Sequence, residues 1–145
     1  LSTSVGDASH DYPWVRKVMF QLWKRRLGYP PLAGVVSSAL FELIRSRVGE
    51  VHLLGIDMTM AHDLALDETS QIRFTPRHFY GTAPEPLPVE QKLGTTAKAH
   101  MWLSEKFLVF DLLSEFSRSQ HVTVFNNSST SLLDSFPRNM KRETS

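Results

Sequence analysis

The chain has 145 residues, enough for about one domain with a real core, and its 41% hydrophobic content is ordinary for a globular protein. Its 16 Lys and Arg stand against 15 Asp and Glu, so net charge gives no general reason to invoke nucleic acid or an acidic membrane, and any basic patch has to be local. The absence of cysteine excludes disulfides, thiolate nucleophiles and sulfur-ligated zinc, and the apolar runs fall far short of the ~20 residues of a membrane span.

Residues 1–11 are small and polar with no period and read as a flexible start. Residues 12–28 read as an amphipathic helix: Asp11 and Pro13 mark its start, Trp14, Val15, Val18, Met19, Leu22, Trp23 and Leu27 make its core face, and Gly28 closes it ahead of Pro30 and Pro31. Its other face carries Arg16, Lys17, Lys24, Arg25 and Arg26. Those cations suit phosphate, an anionic sugar or a lipid headgroup, and equally a solvated face whose charges snorkel. A second helix follows Gly34, with Val36, Ala39, Leu40, Leu43 and Ile44 as its stripe and Gly49 as its stop. The turn from Pro31 to Gly34 leaves helix N–H groups able to hold an anion.

Glu50 to Asp57, EVHLLGID, reads as the central strand of a parallel sheet, covered on both faces. Asp57 then places a carboxylate at the carboxyl end of the strand, where open α/β sheets collect ligands. Met58 to Thr95 shows no sustained period and reads as a long loop, ordered in part because Arg73 to Gly81, RFTPRHFYG, concentrates aromatics, arginines and a histidine. Lys98 to Phe116 is the clearest helix, with Ala99, Trp102, Leu103, Val109, Phe110, Leu113 and Phe116 on its apolar face and Thr95 or Thr96 as its cap. His121 to Phe125 reads as a strand ended by Asn126, Asn127, Ser128 and Ser129. Together the last three elements make a βαβ unit, and residues 138–145 read as a polar tail. The whole is one α/β domain with a mainly parallel sheet.

Among residues able to carry chemistry, His78 stands out, since an imidazole titrates near neutrality and sits here between Arg77 and two aromatics. It can serve as a base toward an acceptor hydroxyl, or merely pack inside an ordered loop. Tyr80 can donate to a leaving phosphate or stack on a sugar. Asn126, Asn127 and Ser128 can bind sugar hydroxyls or a nucleotide, although turn chemistry explains them as well. Asp57, His62, Asp63, Asp67 and Glu68 form an acid-rich run without the spacing of a metal site, so no metal is expected. The signatures GxSxG, GxxxxGK[ST] and GxGxxG are absent.

The proline-containing turn reaching Gly34, the helix, GEVHLLGID, the loop with RHFYG, the next helix and a strand ending in NNSS resemble the second half of bacterial sialyltransferases and related surface-glycan proteins. The resemblance spans roughly Tyr29 to Pro137, with HFYG after the GID strand as its most specific part. It implies a Rossmann-like three-layer domain, whole or partial, with residues 29–137 as the sialyltransferase-like core. It also implies transfer from a CMP-activated or other nucleotide sugar to a glycan without metal or other cofactor. By the same resemblance His78 is the general base and Gly34 approaches the donor, while Asp57, from its place at the strand end, is the second expected catalytic residue. Arg77, Tyr80, Asn126, Asn127 and Ser128 complete the expected substrate contacts. Leu32 and Ala33 stand where that family has a threonine-serine pair, and Met58 and Thr59 where it has a tyrosine, which favours the alternative of a non-catalytic glycan-binding or scaffolding relative. The expected partners are the nucleotide sugar, the glycan acceptor, and a missing amino-terminal half or a second copy of the chain. Nucleic acid is not expected, and the expected location is the cytoplasm or the periphery of a membrane.

Overall fold

A computed structural model describes residues 13–31, 34–58, 64–66, 68–69, 72–74, 87–88 and 94–139. In chain order these form α1 (Pro13–Lys24), α2 (Val35–Arg45), β1 (Glu50–Leu53), β2 (Leu64–Leu66), β3 (Ile72–Phe74), β4 (Leu87–Pro88), α3 (Thr96–Ser119) and β5 (Thr123–Asn126). The architecture is mixed α/β. β1 and β5 pair in parallel from Glu50 opposite Thr123 to Leu53 opposite Asn126, and α3 lies in the connection between them, as the βαβ reading requires.

β1 is shorter than the expected run to Asp57, and it alternates. Val51 and Leu53 are buried while Glu50 and His52 are exposed, so one face of the strand meets the core rather than two. Leu54, the residue that made the run look continuously apolar, lies beyond the strand and is 71% exposed. Among the described residues β1 has one neighbour, β5, and is therefore not central. The inward residues Val51, Leu53 and Val124 join Trp23 of α1, Leu40, Phe41 and Ile44 of α2, and Val109, Phe110, Leu113 and Phe116 of α3 in one core. One core thus joins the three helices to the inward face of the parallel pair.

At the centre of that core three rings interlock. Trp23 stands edge-on to Phe41 at 5.7 Å and to Phe116 at 5.4 Å, and Phe41 stacks on Phe116 at 5.7 Å. Each such pair adds about 0.5–1.5 kcal/mol beyond the area it buries. The price is a helix α1 turned away from its expected face. Trp23 is buried and Met19 and Phe20 pack beside it, while Trp14, Val18, Leu22 and Leu27 are exposed. α2 is rotated in the same sense, burying Ser37, Leu40, Phe41 and Ile44 and leaving Val36 and Leu43 in solvent.

Each helix ends in the same motif, and not at the glycines that seemed to stop α1 and α2. Arg26 (φ 63), Arg47 (φ 56) and His121 (φ 59) take the left-handed conformation. Around them Leu27 N–H donates to Leu22 O, Val48 N–H to Leu43 O and Val122 N–H to Ser117 O. Arg26, Arg47 and His121 themselves donate to Trp23, Ile44 and Arg118. These paired bonds define a Schellman ending, whose left-handed residue is usually glycine. At the ends of α1 and α2 an arginine occupies it, trading backbone strain for charge at the negative end of the helix dipole. At its other end α3 begins as expected, with the Thr95 hydroxyl accepting from Lys98 N–H at 3.3 Å.

The stretch expected to be a long loop holds a small antiparallel sheet in the order β2-β3-β4, with Leu64 opposite Phe74 and Arg73 opposite Pro88. Its strands of three, three and two residues are too short for a period-2 pattern to register. Leu64 and Ile72 pack with Trp102 against Ala99, which seats this sheet on the first turns of α3. Residues 1–11, expected to be a flexible start, lie outside the described residues.

Candidate functional site at the carboxyl edge of the parallel sheet

Both parallel strands deliver their carboxyl ends to one edge, and the chain then knots the two exits together. The ladder closes with Asn127 N–H donating to Leu53 O at 2.9 Å. Beyond it, Gly55 (φ 67) and Met58 (φ 50) turn the segment after β1 back across the edge. Ile56 N–H donates to Ser128 Oγ at 2.9 Å, and Leu132 N–H donates to the Asp57 carbonyl at 2.8 Å. The Ser131 hydroxyl donates to Ile56 O. Asp57 is therefore fixed by its backbone, and its exposed carboxylate accepts from the Thr130 hydroxyl at 3.1 Å. Asp57 and the turn after β5 thus meet at this edge.

The amides of that turn serve the chain. Asn126 is fully buried, donates from Nδ2 to Leu133 O at 2.7 Å and accepts at Oδ1 from Ser128 N–H at 3.1 Å. Ser128 is buried with its hydroxyl bonded to Ile56 N–H. Asn127 donates from Nδ2 to His52 Nδ1 at 3.0 Å, and its Oδ1 is sealed from solvent without a partner, which occurs nowhere else among the described side chains. Asn126 and Ser128 thus use their polar groups to shape the turn, while the Asn127 amide reaches across to His52 of β1. What the turn presents outward is the Asp57 carboxylate with the Thr130 hydroxyl beside it.

Arg138, the first residue of the stretch read as a tail, is the clamp that sequence reasoning missed. Its Nη1 donates to the carbonyls of Ser128 and Ser129, and its Nη2 to that of Ser131. No motif announces a guanidinium that collects backbone carbonyls; the only available signal was an arginine directly after Pro137. His52 was missed as well. It stacks on Phe125 at 5.3 Å, takes the Asn127 amide on Nδ1 and meets the Glu50 carboxylate at Nε2, which orients the ring across the outer face of the sheet.

Gly34 caps α2 with φ 141 and ψ −174, a conformation reserved for glycine, and an added Cβ would meet nothing within 4 Å. The residue is needed for its backbone shape, and the space over the start of α2 is open. The cap supplies no side-chain acceptor, while the Ser37 and Ser38 hydroxyls both donate to the Gly34 carbonyl. Arg77, His78 and Tyr80 lie outside the described residues, as do His62, Asp63 and Asp67. Alongside β5 a cavity of ≈ 540 Å³ opens, lined by Ser114, Arg118, His121, Thr123 and Phe136 among others. None of the described helices is long and apolar enough to cross a membrane. The chain matches no family model, no curated protein and no solved structure, so the geometry of the Asp57 edge is what a functional reading has to stand on.

Proposed function

We propose that the chain is a glycosyltransferase-like domain, sialyltransferase-like in kind and Rossmann-like in fold, that transfers a sugar from a nucleotide-activated donor to a glycan acceptor. The observation that carries this reading is the fixed, exposed carboxylate of Asp57 at the shared carboxyl edge of two parallel strands. In this reaction His78 takes the proton of the acceptor hydroxyl as its oxygen bonds to the sugar. The bond between the sugar and the donor phosphate breaks, and the nucleotide leaves with the electron pair. Asp57 accepts a hydrogen bond from the acceptor and holds it in register, and Arg77 and Tyr80 neutralise and steady the departing phosphate. The uncapped N–H groups at the start of α2, with Gly34 keeping the approach clear, suit the donor phosphate.

A second reading has an observation of its own. Because the Asn126 amide and the Ser128 hydroxyl are engaged within the chain, neither is left for a nucleotide, which favours a glycan-binding relative without transfer. The two readings part in one experiment. Thermal unfolding of the full chain is followed against a panel of nucleotides, nucleotide sugars and free glycans, where a ligand at ~100 times its dissociation constant adds ~2.7 kcal/mol of stability. A nucleotide sugar that stabilises, with transfer or donor hydrolysis that falls roughly 10²-fold in His78→Ala, supports the enzyme. Stabilisation by glycans alone supports the binding relative, and turnover unchanged in His78→Ala removes His78 from the reaction.

A further inference from the structure

α1 carries two apolar faces, and the core uses one. Trp23, Met19 and Phe20 pack inward, and Arg16 is tied to Glu115 of α3 at 2.5 Å. On the opposite side Trp14, Val18 and Leu22, spaced four residues apart, are 65%, 52% and 41% exposed, and Leu27 beyond the helix end is 68% exposed. With 3.6 residues per turn these side chains line up as one stripe along the helix. Lys17 and Lys24 border the stripe, and Arg25 and Arg26 close its end, all of them exposed. From Pro13 to Tyr29 the sequence contains no acidic residue.

We propose that this face of α1 docks on an anionic lipid surface. An exposed row of an indole and two aliphatic side chains has to be covered by something apolar. A second copy of the chain is disfavoured, because an isologous contact lays this all-cationic face against itself. A headgroup layer satisfies both halves of the surface. Trp14, Val18 and Leu22 enter the boundary between headgroups and acyl chains, while the lysine and arginine stems lie along the same apolar boundary and extend their charges to the phosphates. The short length of α1 makes such binding reversible, and the cations supply much of it through the negative surface potential.

The test is flotation of the full chain with vesicles of phosphatidylcholine alone and with vesicles of phosphatidylcholine mixed with phosphatidylglycerol. The protein is expected to float with the anionic vesicles only and to be released as salt is raised. The double variant Lys17→Glu/Lys24→Glu should lower the partition by about tenfold or more. The triple variant Trp14→Ser/Val18→Ser/Leu22→Ser should lower it comparably while keeping the thermal midpoint, since these side chains are outside the core. Lys17→Arg/Lys24→Arg should retain it. No flotation on anionic vesicles at low salt overturns the proposal. So does flotation that the triple variant leaves unchanged, and so does binding of soluble polyglutamate as tight as that of the vesicles, which would assign the face to an acidic protein partner.

Discussion

Replacing Asn126 by Asp changes one atom of a fully buried side chain and should make the stability of the protein depend on pH. Asn126 satisfies two partners of opposite kind, the Leu133 carbonyl through its NH₂ and the Ser128 N–H through its oxygen. In Asn126→Asp an ionised carboxyl still accepts from Ser128 N–H, but it turns its second oxygen against the Leu133 carbonyl and buries an unpaired charge. That arrangement costs about 3–5 kcal/mol, a large part of the 5–15 kcal/mol that typically holds a domain together. Protonated, the same carboxyl can donate to the Leu133 carbonyl and accept from Ser128, which restores most of the native pattern. The pKa of the introduced group is therefore raised in the folded state above its unfolded value of about 4. Below that unfolded value both states are protonated and the deficit is small. As the pH rises from there to the folded pKa the deficit grows, because the unfolded chain releases its proton first, and above the folded pKa it is constant. Urea unfolding of wild type and Asn126→Asp at a series of pH values measures this directly, with Asn126→Ala as a control whose deficit stays flat. A pH-independent deficit in Asn126→Asp would mean that the amide is not buried between these two partners, and the scaffold role given to the turn would fall with it.

Arg138→Ala should cost about 1–3 kcal/mol by urea unfolding, since three backbone carbonyls lose a charged donor that water only partly replaces. Arg138→Lys should recover only a fraction, because a single ammonium cannot reproduce the fork, and a loss below ~0.5 kcal/mol in Arg138→Ala would refute the clamp. At the end of α2, Arg47→Gly should be stabilising or neutral, as relief of ~1–2 kcal/mol of left-handed strain is offset in part by the added freedom of the unfolded chain. Arg47→Val should be destabilising by about 1 kcal/mol or more, and thermal midpoints that order the two variants the other way would refute the Schellman assignment.

The elements that sequence could place are those with many residues speaking for them. α3, with 24 residues and a threonine cap, and the parallel pair around it were legible because period, cap and β-branched content agree. What failed was local. In α1 the apolar residues Trp14, Val15, Val18, Met19, Leu22 and Trp23 cover a broad arc, and periodicity cannot say which half of such an arc meets Phe41 and Phe116. The helix ends were displaced because Arg26, Arg47 and His121 adopt a conformation that sequence reading assigns to glycine. At the candidate site, Asp57 was legible from its place after a strand. Arg138 was not, because what it recognises is three carbonyls brought together only by the fold.

The tie between Ile56 and Ser128 joins residues 72 positions apart in the chain. Closing a flexible loop of that size costs about 4 kcal/mol of chain entropy before the bond returns anything. The helices need no such closure, so the Asp57 edge is expected to be among the last parts of the molecule to assemble during folding. Hydrogen exchange at the Ile56 amide should therefore emerge as a sensitive gauge of whether refolding has run to completion.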